Sequence, residues 1–543
     1  MKKLLLSTIF FSTIFSFAQP SIQLVKTTGA NASSNMVVLS NKLFLQATDA
    51  AAGIELFTSD GTTSGTTMLK NIVPGSGDSN PRFFKNALGK VLFRAGSSPF
   101  SDSLYITDGT ITGTKSLCKL SLNAIPADGV EMNSKFYFIN GISSTGDELW
   151  VTDGTLAGTQ LVKDIASGTS ASNIEWLTVL GNKLFFKAND NTSTSGDELW
   201  TSDGTVGGTI LFKDIYTGAQ GSGLRGLTVY NSKIYFGADN STNGNELWVC
   251  DGTLGGTSML KDILPGSTGS APFGFANFNG KLYFAADGNL IAREFFETDG
   301  TLAGTILNKD IDAGTLSSNP QGLYPISNNL FFTARLTNSC GYELMSFSSV
   351  TNSVNLMTDA FPGMTTGFQS VVNAYGEYNI TNFGTSAVIT AYEANNLQNI
   401  WISDGTSGGT SKVLLTGPAY TNASQSYLTP FNNDVYFFAK YGTGIKSLYK
   451  LTGASVGIKE TQNQLINFSI YPNPAKELLN VKLETLNNEP TLVKITNLLG
   501  QNLLTETATS NEFKLSLNNL NSGVYFVTIE NKGKQSTQKI IVE

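Results

Sequence analysis

The chain has 543 residues, more than one ordinary compact core holds, with charged residues at only 14%, aromatics at 10% and 55 glycines. That balance excludes a disordered chain and suits a β-rich, turn-rich extracellular protein. A formal net charge of −7 gives no basic footprint for nucleic acid, and the absence of any histidine excludes Ser-His-Asp, Cys-His and His-metal chemistry.

The N-terminus pairs Lys2-Lys3 with an apolar run from Leu4 to Phe17, followed by Ala18-Gln19. A basic start, a short apolar core and a small residue predict a secretory signal peptide over residues 1–18. The run is too short to span a bilayer, and no later segment reaches about 18 apolar residues, so no transmembrane segment is expected in the mature chain. Cys118, Cys250 and Cys340 follow no CxxC pattern and, as an odd number, argue against a disulfide framework.

A repeat then dominates residues 19–456. Asp-Gly-Thr-x-x-Gly-Thr begins at Asp60, Asp108, Asp153, Asp203, Asp251, Asp299 and Asp404, at spacings of 48, 45, 50, 48, 48 and 105. The last gap is two periods, and "YELMSFSS" at Tyr342–Ser349 fills the vacant slot; a weaker copy follows at Ser447–Gly453. Each period holds four short runs rich in Leu, Val, Ile, Phe, Trp and Thr, separated by turn residues. These predict a four-stranded antiparallel meander. "YNSK" and "FNGK" read as tight hairpins between the first two strands.

One such sheet is too small to stand alone, and stacking copies in a ring buries both faces, so the fold class is all-β and the architecture a large β-propeller. Counting slots gives nine blades, or eight if the irregular stretch Thr365–Ile400 holds none. The last unit lacks a fourth strand. "IQLVKTTGANASSN", from Ile22, aligns with "TQLVKDIASGTSASN", from Thr159. The N-terminal segment is therefore expected to supply the missing strand and close the ring. An open solenoid needs capping units instead.

The repeated residues read as structural. Asp153, Asp203 and Asp251 accept from the amides that follow them, Gly154 takes a positive φ, and Thr155 completes the turn. Trp150, Trp200 and Trp248 share one position of strand three and are expected between blades. A phosphatase nucleophile loop would need a carboxylate two residues before the Asp. Those positions are Thr58, Ile106, Val151, Thr201, Val249, Glu297 and Ile402; only Glu297 is acidic, with no βαβ context around it. The whole set, in register over about residues 21–453, resembles the ELWxxDGT repeat family of exported bacterial proteins, a family defined by its repeat and implying little about activity.

After a polar linker over 457–465, residues 466–543 carry about seven short β runs, which predict an Ig-like sandwich. Tyr471-Pro472-Asn473-Pro474, "ITNLLGQ" with Gly500, "LNSGVYFVTI" with Gly523 and Tyr525, and terminal "QKIIVE" with Lys539 occur in that order. The set resembles the type A C-terminal sorting domain of the type IX secretion system of Bacteroidetes. The resemblance implies outer-membrane translocation by that machinery, removal by a sortase-like peptidase, and attachment of the cargo to surface lipopolysaccharide or its release. The expected location is extracellular or on the outer-membrane surface.

Two functions follow for the repeat region. The first is a non-catalytic binding or adhesion propeller for a glycan or protein. The alternative is an extracellular polysaccharide-degrading enzyme with paired carboxylates, which needs no histidine. No catalytic or cofactor-binding residues are marked. Non-repeat acids Asp128, Glu131, Glu175, Glu377 and Glu393 are the only candidates for such a pair, and the arginines Arg82, Arg94, Arg225, Arg293 and Arg335 could hold a carboxylate if they converged. Asp49, Asp190, Asp239 and Asp287 recur at the start of the two-to-three loops. They are weak Ca²⁺ candidates beside an Asx-turn reading. Any ligand is expected on the face formed by those variable loops.

Overall fold

A computed structural model describes residues 20–28, 35–98, 100–192, 194–288, 291–314, 316–336, 342–358, 380–392, 398–413, 426–440, 446–453, 468–483, 491–497, 502–508, 510–518, 520–531 and 534–543. The expected signal peptide, Cys340, Glu377, Glu393 and Gly500 lie outside the described residues. The chain divides into two compact units, Met1–Ala454 and Ser455–Glu543. Among the described residues the only helix is a 3₁₀ turn at Pro126–Asp128, and no helix is long and apolar enough to cross a membrane.

The first unit, among the described residues, holds nine four-stranded antiparallel sheets. The fourth is representative: Glu175–Leu180, Lys183–Ala188, Glu198–Ser202 and Ile210–Lys213 pair in chain order. Alternation places Leu184 and Phe186 on one face and Phe185 on the other, all at 0% exposure, so the sheet is apolar on both sides. Most hairpins between first and second strands turn through paired left-handed residues, Asn231-Ser232 at φ 45 and 57 being one case. That is the geometry whose twist matches the flanking strands.

Each core is shared by two sheets. Leu149, Val151 and Tyr137 of the third sheet pack with Leu184, Phe186 and Trp200 of the fourth. Phe185 and Leu199 of the fourth pack in turn with Ile234, Phe236 and Trp248 of the fifth. The series returns on itself: Leu43, Leu45 and Phe57 of the first sheet share a core with Phe431, Tyr436 and Phe438 of the ninth. No sheet has a core of its own, which is how a 48-residue unit becomes stable.

The ninth sheet is completed from the other end of the chain. Ser21–Lys26 pairs antiparallel with Ser447–Thr452, with Ile22 opposite Leu451 and Leu24 opposite Tyr449. Val25 is 3% exposed in the core shared with the first sheet, while Ile22 packs against the core between the eighth and ninth. The strand therefore serves both faces.

The second unit has two antiparallel sheets around one core. Phe468–Tyr471, Leu478–Leu483 and Glu512–Ser516 form one. Asn502–Ala508, Thr491–Thr496, Gly523–Asn531 and Lys534–Val542 form the other. Leu479, Val481 and Leu515 from the first sheet meet Ile495, Val527, Ile529 and Ile540 from the second.

Candidate binding surface

The Asp-Gly-Thr loops are closed hydrogen-bond circuits. Asp153 Oδ1 accepts the Thr155 amide at 2.8 Å and its hydroxyl at 2.6 Å. Thr155 Oγ1 accepts the Gly158 amide at 2.9 Å, and the Thr159 hydroxyl donates to the Thr155 carbonyl at 2.6 Å. The same circuit recurs at Asp203 and Asp251. The Thr155 hydroxyl, then its amide, hold the Asp153 carboxyl below its ordinary value, and the corresponding threonines do so for Asp203 and Asp251. Gly204, at φ +90, is needed twice over: a Cβ there would lie 2.2 Å from the Tyr137 hydroxyl of the preceding sheet. Trp200 and Trp248 are 4% and 7% exposed in inter-sheet cores, and Trp150 packs against the core between the second and third sheets. One carboxylate oxygen and both threonine hydroxyls of the loop are thus committed inside the turn.

Two further sets of repeated residues went unassigned in the sequence reading. The first is the glutamate of each Glu-Leu-Trp slot. Glu55, Glu148, Glu198, Glu246 and Glu294 are fully buried, and each accepts backbone amides from the segment leading to the next sheet. Glu198 takes Ile215 N at 2.8 Å and Tyr216 N at 3.2 Å; Glu246 takes Ile263 N at 2.8 Å and the Ser270 hydroxyl at 2.6 Å. Burial raises these carboxyls above their ordinary value against the lowering effect of the hydrogen bonds, Glu198 to about 7. The second set is the lysine ending strand four, which donates to a carbonyl in the next sheet's Gly-Thr turn: Lys163 to Thr209 and Lys213 to Thr257, both at 2.7 Å. Recurrence at one position was the signal for both sets.

The non-repeat acids are dispersed. Asp128 is exposed and lies near Lys85, whose ammonium donates to the Ala127 carbonyl. Glu131 caps the Leu88 amide at 2.8 Å, and Glu175 pairs with Lys187 at 2.9 Å. Glu297 accepts from Lys281 and from Asn308. The four loop aspartates are engaged locally: Asp49 with the Ala51 and Ala52 amides, Asp190 with Thr192, Asp239 with the Ser241 amide, Asp287 with Arg293 at 3.2 Å. Among the described residues no three His, Cys, Asp or Glu side chains gather as a metal cluster. Cys118 and Cys250 are free thiols, and burial pushes Cys118 up to about 12.

Four of the five arginines are brought together in two pairs. Arg82 and Arg94 both bond Asp102, which is 1% exposed. Arg335 approaches Asp312 at 3.8 Å. Arg225 lies near enough to Arg293 to have its pKa lowered, by burial first and then by that second charge.

In the second unit, Tyr471, Pro472, Asn473 and Pro474 are exposed. The Asn473 side chain clamps the last strand, donating to the Lys539 carbonyl and accepting from the Ile541 amide, both at 2.9 Å. Gly523 pairs with Val542, and the Tyr525 hydroxyl donates to the Asn521 carbonyl at 2.8 Å.

Residues 469–543 match the family described as the secretion system C-terminal sorting domain. That match implies export through the type IX secretion system to the cell surface or the extracellular space. No curated protein matches the chain. Among solved structures, a puromycin hydrolase is similar at 14% identity and TM-score 0.34, over 69% of this chain and 59% of that one. PorZ, described as an essential bacterial surface component of the type-IX secretion system of Porphyromonas gingivalis, is similar at 13% identity and TM-score 0.24, over 94% and 75%. The β-propeller domain of the trilobed protease from Pyrococcus furiosus is similar at 11% identity and TM-score 0.31, over 63% and 98%. The chain thus spans 59% of the length of the puromycin hydrolase it matches.

Proposed function

We propose that the first unit is a nine-bladed β-propeller of the ELWxxDGT kind, closed by its N-terminal strand, and that it acts outside the cell as a non-catalytic binding or adhesion module. On this reading the second unit is an Ig-like sandwich. Tyr471, Pro472, Asn473, Pro474, Gly500, Gly523, Tyr525 and Lys539 form its sorting signal, a sortase-like peptidase removes it, and the cargo is anchored to lipopolysaccharide or released.

The observation that carries the binding reading is the disposition of the acids. The repeated Asp and Glu side chains accept hydrogen bonds within turns and between sheets, Glu131 and Glu175 are capped or paired on different sheets, and Asp128 lies near Lys85. A polysaccharide hydrolase needs two free carboxyls about 5–9.5 Å apart across a cleft. The variable two-to-three loops then remain as the surface that differs from blade to blade.

The test is to screen the purified mature chain against a glycan library, reading retention and product release together. Retention without cleavage is the expected outcome. Reducing-end release that survives purification to homogeneity would replace this reading with the hydrolytic one.

A further inference from the structure

In several sheets the first three strands meet at a recurring station. Its members are the residue that opens strand one, its partner on strand two, and the strand-three residue two places before that partner's own neighbour. In the second sheet these are Arg82, Arg94 and Asp102, through the pairs Arg82 with Arg94 and Arg94 with Leu104. In the fourth they are Glu175, Lys187 and Asp197. Both stations are compensated internally: Asp102 bonds both arginines, and Lys187 lies 2.9 Å from Glu175 and 3.6 Å from Asp197.

The fifth sheet differs from these two. Its station is Arg225, Gly237 and Asn245, so an amide stands where the second and fourth sheets have a carboxylate. Among the described residues Arg225 has no hydrogen-bond or ion-pair partner. Asn245 is 8% exposed, and its Oδ1 is buried without a donor. Gly237 keeps the space open: a Cβ there would lie 2.7 Å from Asn245 Oδ1 and 3.4 Å from Arg225 Cγ. The sixth sheet adds a second cation, Arg293, at the strand-three position of its own station. An uncompensated, half-buried guanidinium on a chain of net charge −7 is costly to keep unless something anionic arrives.

We infer that this end of the fifth sheet binds the carboxylate of an acidic, uronate-type glycan, the ligand carboxylate taking on Arg225 the place that Asp102 takes on Arg82 and Arg94. Arginine's planar fork suits bidentate capture of a carboxylate. A sugar acid rather than an acidic peptide fits the flanking groups. Phe273, which opens strand one of the sixth sheet, is 39% exposed, and Trp176, on strand one of the fourth, is 41% exposed. Exposed flat rings on the two neighbouring sheets offer apolar faces to pyranose rings. The inference rests on the binding reading above and names its ligand class.

The experiment titrates the full mature chain with oligogalacturonate, with its methyl ester and with polyglutamate, by calorimetry at two salt concentrations. Oligogalacturonate should bind and weaken with salt, and the ester should not bind. R225Q should lower affinity about tenfold or more. N245D rebuilds the carboxylate that the second and fourth sheets already carry. It should fold normally, checked by its melting temperature, and abolish binding by supplying an internal counter-ion. Equal binding of the ester, equal or tighter binding of polyglutamate, or unchanged affinity in both variants would overturn the inference. Retention of only neutral glycans in the library screen overturns this inference and leaves the binding reading standing. Retention of no glycan at all overturns this inference and leaves a protein partner as the binding reading's ligand.

Discussion

Lys213 reaches from the last strand of the fourth sheet into the fifth and donates its ammonium to the Thr257 carbonyl at 2.7 Å, while the same side chain lies 5.9 Å from the centre of the Trp248 ring. One side chain thus links the turn and the core of the neighbouring unit. The lysine is not a surface charge that happens to recur; it ties consecutive units whose stability is otherwise shared only through apolar packing.

Replacing Lys213 by Met should therefore cost about 1 kcal/mol, the usual net worth of such a hydrogen bond, with a smaller cation–π share. Lys163→Met should cost a similar amount through Thr209. The two sites share no partner, so the double variant should be close to additive in urea unfolding. Loss in neither variant would show that the latches are incidental.

Stability should fall as pH rises through the range set by the buried glutamates. The Glu198 carboxyl is raised from 4.5 to about 7, chiefly by burial, with Asp214 adding a smaller like-charge push. A carboxyl raised in the folded state stabilises the fold most while protonated. That contribution is fully present below about 4.5 and lost as pH climbs toward 7. Thermal melts between pH 4.5 and 8 should show this decline. Glu198→Gln, which cannot ionise, should flatten the Glu198 share. An identical pH profile in the variant would refute the assignment.

Two glycines four residues or fewer apart in one loop should respond oppositely to alanine. Gly204 has φ +90, and a Cβ would sit 2.2 Å from the Tyr137 hydroxyl; around Gly207 nothing lies within 4 Å. Gly204→Ala should lose about 1–2 kcal/mol from the left-handed backbone alone, and more from the clash. Gly207→Ala should be neutral or gain up to about 1 kcal/mol through the unfolded chain. Equal effects would mean the loop relaxes freely.

Closure through the N-terminal strand predicts that Val25→Asp unseats Ser21–Lys26, because the residue is 3% exposed in the core between the ninth and first sheets. Amide exchange should accelerate in Ser447–Thr452, its pairing partner. The exposed edge should also promote self-association on size exclusion. Unchanged protection of that strand would sink the idea.

Asn473→Ala removes two hydrogen bonds to the terminal strand and should loosen Lys534–Val542 by about 1–3 kcal/mol. If the second unit is read as a folded signal, the variant should also accumulate unexported. Normal export with a destabilised tail would separate the motif's structural role from its recognition.

Much of the architecture is legible in the sequence. Alternating runs fixed strands and faces, the Asp-Gly-Thr copies fixed the turns, and the match between the segments at Ile22 and Thr159 pointed to a strand supplied from the far end of the chain. Local chemistry decides all of these. Period-two burial, left-handed glycines and Asx-type turns depend on a few neighbouring residues. The tertiary structure decided what the repeated Glu and Lys side chains touch, because their partners lie 17 to 46 residues away along the chain. It also decided which arginine lacks a counter-charge. Arg225, Gly237 and Asn245 are separated along the chain and become one station only through the strand register. Recurrence in a sequence says that every unit needs a residue. The register says what that residue meets, and in the fifth sheet it leaves Arg225 without the carboxylate that Asp102 gives to Arg82 and Arg94.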